Sequence, residues 1–253
     1  MSNDSLATQI LHADNCLDGE SDIAPPIHLR TTFRYVYNTD QDESLRGPAV
    51  CHSTAFPHQP CTNTRARILI SSWFGTFCYS RDRAPTRTRL ETVLSALIHG
   101  PTLTYASGLA AVHAYLVFLK PKRIAIGDGY YGSLQVANLH QQLTGCEILG
   151  FDKLDALEAG MTTRSPGSVC AGRRHYHAQW EKYFGGHYDL LCGTLSIQPA
   201  REESWFKTLH EQRTILGSVL GSMEVWLGLR SLRTLELRVR RESENATALV
   251  LWL

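Results

Sequence analysis

One lysine in this chain stands where the backbone can turn sharply. The segment Glu181-Lys182-Tyr183-Phe184-Gly185-Gly186-His187-Tyr188-Asp189 sets it close to two glycines. A lysine amine held in such a place can form a Schiff base with an aldehyde cofactor. The same pattern fits a surface lysine in a glycine-containing loop, because lysine is seldom buried. Upstream, Ser107-Gly108-Leu109 falls at an expected strand-to-helix turn. Amide groups and the positive end of a helix dipole suit a phosphate there, though on local grounds alone the short motif reads first as a plain turn. Tyr130 lies in the next such turn, Gly127-Asp128-Gly129-Tyr130-Tyr131-Gly132-Ser133. Its ring could stack on a flat cofactor or simply be a half-buried structural tyrosine. Tyr79-Ser80-Arg81 adds an arginine fork able to grip phosphate. Cys51, His52, His58 and Cys61 have ligand-type side chains without an established zinc spacing, so no metal is expected there or at His175 and His177.

Residues 85–151 supply the elements that must position these groups. Pro85 opens an expected helix whose apolar positions Leu90, Val93, Leu94, Leu97 and Ile98 keep a helical period. Thr88 and Glu91 suggest a capping box, and Gly100 a stop. Strands are expected at 103–105, 123–127 and 146–151, with helices at 109–120 and 134–143 between them. This alternation predicts an α/β domain with parallel βαβ units. A strand at 190–197 and a helical stretch at 202–220 follow. From Leu232 a long amphipathic helix runs to the C-terminus, ending on Leu249-Val250-Leu251-Trp252-Leu253. Residues 40–77 and 160–180 carry no sustained periodicity.

Composition narrows the function classes. Apolar residues make up 43% and charged residues 19% of 253 residues, which places the chain among globular proteins with a sizeable core. A net charge of +1 provides no field for nucleic acid or an acidic membrane. Arg230, Arg233, Arg238, Arg240 and Arg241 read as a solvated basic helix face. The first twenty residues include Asp4, Asp14, Asp18 and Glu20 and no apolar run, so no signal peptide is expected. The apolar stretch 109–119 contains His113 and is too short to span a bilayer. Seven cysteines without CxxC pairing read as reduced thiols in a cytoplasmic protein.

In their order along the chain, these motifs resemble the Cys/Met-metabolism family of pyridoxal-phosphate enzymes. That family includes cystathionine γ-synthase, the cystathionine lyases, methionine γ-lyase and the acetylhomoserine sulfhydrylases. The match runs from Thr8 and His12 through Pro26-Ile27 and Thr31-Thr32-Phe33 to Tyr79-Ser80-Arg81 and Pro85-Thr86-Arg87-Thr88-Arg89-Leu90-Glu91. It continues with Tyr105-Ala106-Ser107-Gly108-Leu109, Gly129-Tyr130-Tyr131-Gly132-Ser133, the Lys182 segment, and Trp226-Leu227-Gly228-Leu229-Arg230. The resemblance implies a fold-type I transferase major domain, incomplete here. It also implies an N-terminal arm at 1–39, an irregular insertion at 40–78, a cofactor-binding domain at 79–235 interrupted at 160–180, and a truncated C-terminal region from 236. Lys182 would hold pyridoxal phosphate covalently and later shuttle protons. Ser107, Gly108 and Leu109 would bind its phosphate, and Tyr130 would stack on its ring. Tyr79 and Arg81 would reach the cofactor of a neighbouring subunit, which implies a homodimer or homotetramer acting on amino-acid substrates.

Departures from the family pattern accompany the match. Gln179 and Glu181 stand where the family places a serine and a threonine before the lysine. The family's aspartate-bearing segment, expected between Gly160 and Lys182, is not matched, nor is its C-terminal domain after Leu253. The expected function is trans-sulfuration by cystathionine γ-synthase-like replacement on an activated homoserine. The alternative is a catalytically dead remnant or mis-joined gene product, able to pair with a full-length relative.

Overall fold

The computed structural model describes residues 5–17, 24–33, 77, 79–126, 130–149, 176–179, 183–197 and 202–252. The elements are α1 (Leu6–His12), α2 (Pro85–Ile98), β1 (Thr102–Tyr105), α3 (Gly108–Leu119), β2 (Arg123–Ala125), α4 (Tyr131–Thr144), β3 (Glu147–Leu149), β4 (Tyr176–Gln179), β5 (Gly193–Ser196), α5 (Glu202–Leu216), α6 (Ser222–Leu232) and α7 (Leu235–Trp252). One expected parallel βαβ unit is present: β2 and β3 pair in parallel across α4. β1 does not join them. It pairs antiparallel with β5, which pairs antiparallel with β4, giving the order β1-β5-β4.

Helix α3 explains how the two sheets share a core. Its sequence is apolar almost all round, as a helix buried on two sides must be. Ala111, Ala114 and Tyr115 pack with Leu103 and Tyr105 of β1, Leu195 of β5 and Leu209 of α5. Val112 and Leu116, on another face, pack with Ile124 of β2 and Ala137 of α4. A further cluster joins Leu90, Val93 and Leu94 of α2 to Ile10 of α1 and to Val225, Leu229 and Leu232 of α6.

The expected capping box of Thr88 and Glu91 is not formed. Pro85 occupies the first turn of α2, Ala84 is the N-cap without a side-chain bond, and the Thr88 hydroxyl donates to the Ala84 carbonyl. Glu91 is turned inward instead, largely buried against Arg213 of α5 at 2.5 Å. The Thr104 N–H and hydroxyl both donate to Glu91 Oε1, at 2.9 and 2.8 Å, and Arg213 donates to the Thr104 carbonyl at 2.8 Å. α2 ends at His99, in the left-handed region with φ of 58°, one residue before the expected stop at Gly100.

The basic patch is likewise only partly a solvated face. Arg233 donates to the carbonyls of Ile10 and Leu11 and pairs with buried Asp14, anchoring α1; Arg89 meets the same carboxylate. Arg238 is committed to backbone carbonyls, while Arg240 and Arg241 pair with Glu236 and Glu244 on their own helix. The expected helix from Leu232 is divided: α6 closes at Leu232 and α7 begins at Leu235. Its last turns leave Leu249, Val250, Leu251 and Trp252 exposed. Among the described residues no helix is long and apolar enough to cross a membrane.

Two groups make this core sensitive to acid. Burial alone would push the Glu91 carboxyl up, but Arg213 and Arg87 and the bond from Thr104 outweigh it and hold it below the usual range. Burial, then the nearby Arg213 charge, lowers His210, with Asp82 opposing. Both groups bind protons less readily folded than unfolded, so their contributions are present at neutral pH and fall in acid. Stability should drop as pH falls below 6.5 through His210, and again below 4.5 through Glu91. E91Q should cost about 3 kcal/mol near pH 7. Urea unfolding of both proteins from pH 7 to pH 3 should show this gap narrowing below 4.5.

Candidate functional site

Ser107 ends the strand side of the β1–α3 turn in extended backbone and caps α3, its hydroxyl accepting from the Ala110 N–H at 3.0 Å. First-turn amides of a helix have no intrahelical carbonyl to bond, and the dipole makes this end positive. The turn is also closely backed. A Cβ built on Gly193 of β5 would lie 2.1 Å from the Ser107 carbonyl oxygen and 2.9 Å from Gly108 Cα. Only a glycine lets β5 approach so near.

Tyr130 meets this turn from the side. It is the N-cap of α4 and is 47% exposed. A Cβ on Gly132 would lie 2.7 Å from Tyr130 Cε1 and 3.0 Å from a Leu109 methyl. The missing Cβ therefore lets the Tyr130 ring and the Leu109 side chain gather around one point. Two motifs more than twenty residues apart thus form one cradle: a positive helix end with an accessible aromatic ring beside it.

Lys182 and Glu181 lie outside the described residues, as do His175 and the group Cys51, His52, His58 and Cys61. The strand leading toward the lysine is described. Gln179 of β4 is in register with Gly193 of β5, which is in register with Tyr105 of β1. Neighbouring strands are about 4.8 Å apart, so Gln179 lies two strand spacings, about 10 Å, from Tyr105. The chain reaches Lys182 three residues beyond Gln179, and Ser107 two residues beyond Tyr105.

Tyr79 and Arg81 form a separate group. Tyr79 bridges Thr32 of the extended segment 24–33, is 41% exposed, and carries the Arg81 guanidinium 4.9 Å from its ring centroid. Buried Arg87 holds their turn: its Nη2 donates to the carbonyls of Ser80 and Asp82 at 2.7 and 2.8 Å. Among the described residues the contacts of Tyr79 and Arg81 run to this turn and segment, not to Ser107 or Tyr130. The sequence marks Arg87 and Gly132 only as members of the family match, with no positioning role, and nothing local marks Gly193. Among the described residues no cluster of metal-binding side chains occurs.

The family described as Cys/Met metabolism PLP-dependent enzymes matches residues 7–162 and 176–253. The first block takes in 40–78, and the break falls within 160–180. Cystathionine β-lyase MetC of Bacillus subtilis (strain 168) is 25% identical over 225 residues, covering 70% of this chain and 57% of the lyase. A putative cystathionine γ-lyase of Streptomyces coelicolor is 29% identical over 223 residues, covering 68% of this chain and 56% of the lyase. The chain therefore spans little more than half the length of these curated relatives. Among solved structures, cystathionine γ-synthase from Xanthomonas oryzae pv. oryzae superposes with a TM-score of 0.68 at 18% identity, over 99% of this chain and 69% of that one. At that identity the likeness carries the fold, a fold-type I PLP-dependent transferase major domain in part.

The two glycines should respond differently to a methyl group. G193A meets backbone that cannot move aside and should cost about 2 kcal/mol of stability. G132A meets an exposed tyrosine ring that can swing away and should cost under about 1 kcal/mol. Urea midpoints of the two variants, measured side by side, check the order.

Proposed function

Because the chain belongs to the family of Cys/Met metabolism PLP-dependent enzymes, we propose that it acts in trans-sulfuration as a cystathionine γ-synthase-like transferase. The substrate would be an activated homoserine: its bond from the γ-carbon to oxygen breaks, and the activating group leaves with that oxygen. The cysteine sulfur forms the new bond to that carbon and gives up its proton. One observation carries the reading, the register of Tyr105, Gly193 and Gln179, which ties the approach to Lys182 to the Ser107–Tyr130 cradle.

The family depends on pyridoxal phosphate. This chain's residues fit that group on two counts: the helix end at Ser107 suits a phosphate, and the Gly132 gap lets an exposed ring lie beside it. When bound, pyridoxal phosphate supplies an electron sink for the substrate. In this reading the amides around Ser107, Gly108 and Leu109 hold its phosphate and Tyr130 lies on its ring. Lys182 binds it covalently and moves protons at the substrate α and β carbons. Tyr79 and Arg81, exposed on their turn, reach into the site of a second subunit in a homodimer or homotetramer. The domain boundaries expected from the sequence, 79–235 for the cofactor domain above all, belong to the same proposal.

A second reading is favoured by Gln179 and Glu181, which replace two hydroxyl side chains of the family before the lysine. A carboxylate beside a phosphate dianion is repulsive. On this reading the chain is catalytically inactive and serves as a partner for a full-length relative.

Incubation with pyridoxal phosphate, borohydride reduction and peptide mapping separates the two. The enzymatic reading expects a visible absorption band and label concentrated on Lys182, both lost in K182A. Label scattered over surface lysines would sink it. E181T should tighten cofactor binding about tenfold, or 1.4 kcal/mol, by removing one like charge, as measured by equilibrium dialysis.

A further inference from the structure

The turn that follows Lys182 is held from behind by Arg238. This residue stands half-buried on α7, and its guanidinium is spent on neutral oxygens. Nη1 donates to the Tyr183 carbonyl at 2.7 Å; Nη2 donates to the carbonyls of Phe184 and Ser231, each at 3.0 Å. Nε meets the Thr234 hydroxyl at 3.3 Å. The turn is wound tightly over this fork. Gly186 has φ of 75°, and a Cβ there would lie 2.2 Å from Arg238 Nη1 and 2.7 Å from Cζ. Tyr188 is also left-handed, with φ of 57°, and the His187 ring Nδ1 bonds the Gly185 carbonyl at 2.8 Å. Phe184 packs against the core cluster of α2 and α6.

These contacts bear on the lysine through the chain itself. A planar fork bound to two consecutive carbonyls fixes two peptide planes at once, which a single ammonium cannot do. Tyr183 is joined to Lys182 by one peptide bond. On the other side, Gln179 is fixed by its pairing with Gly193. The two residues between Gln179 and Lys182 are therefore bounded by a sheet register before the lysine and a guanidinium clamp after it.

We propose that Arg238 is a positioning residue for Lys182: by locking the turn of residues 183–186 it sets the backbone from which the amine reaches the cofactor. The inference rests on the reading of Lys182 given above. Arg238 touches neither cofactor nor substrate in this scheme; it acts through the carbonyls of Tyr183 and Phe184.

Two probes on the full chain test it, comparing wild type with R238K and G186A. G186A drives a methyl group into the fork from the opposite side and leaves the arginine in place. Pyridoxine 5′-phosphate, which has the ring and phosphate but no aldehyde, reads the cradle alone through intrinsic fluorescence. Pyridoxal 5′-phosphate with borohydride reads the rate and pH profile of capture by Lys182, located by peptide mapping. Pyridoxine phosphate affinity should stay within about twofold of wild type in both variants, while Lys182 capture at equal occupancy falls about tenfold and its pH profile moves. General loosening would weaken both probes in parallel and overturn the inference. So would capture unchanged in rate and pH profile. If R238K does not fold, R238Q, which keeps one donor group but loses the fork, decides by the same two readings. Wild-type protein that fails to bind pyridoxine phosphate defeats the functional reading, and this inference falls with it, by a signature distinct from unchanged capture.

Discussion

The sheet that carries the site depends on how the edge of β1 is closed. β1 has β5 on one side and no strand on the other among the described residues. An unpaired strand edge leaves N–H and C=O groups that must find partners if buried. Here Glu91 and Arg213 take the place of a strand: the carboxylate accepts the Thr104 N–H and the guanidinium donates to the Thr104 carbonyl. The charges neutralise each other while serving the backbone. That arrangement makes the cost of burying them tolerable, and a purely apolar pair could not replace it. It also joins α2, β1 and α5 through a single bonded group.

From that fixed strand the geometry of the site follows in short steps. Just past Thr104, β1 ends at Tyr105 and delivers Ser107 to the start of α3. The close approach of Gly193 aligns β5 behind this turn, and the pairing of β5 with β4 brings Gln179 into the same row. α3 is held between two sheets, so its N-terminal end cannot tilt without disturbing two core clusters. A turn built on elements locked in this way holds its helix-end amides in fixed directions.

Arginine has a recurrent task in this chain. Arg87 holds the turn of Tyr79 and Arg81, Arg233 holds the end of α1, and Arg238 holds the turn after Lys182. Each binds backbone carbonyls at the end of a segment that lacks a continuing ladder. A guanidinium suits this because its donors diverge in one plane and its charge strengthens each bond. On a one-dimensional reading Arg233 and Arg238 look like charge on a solvated face, since they bond carbonyls 223 and 55 positions away.

Much of the local structure was legible from residue order. The helices at 85–98, 108–119 and 131–144 and the short strands between them follow from apolar period, Pro85 and the glycine turns. The order of the motifs marked the family, because each needs only its neighbours to be recognised. What the sequence could not decide were pairings between distant segments. β1 lies antiparallel to β5 instead of beside β2, and Glu91 serves the core instead of its own helix cap. Gly132 and Gly193 matter through an absent Cβ, whose meaning depends on what stands opposite. The sequence by itself determined the chemistry available and the elements that carry it, since both depend on residue type and near spacing. Only the tertiary structure decided which groups face one another, because that choice is made by core packing and by the need to satisfy every buried backbone polar group.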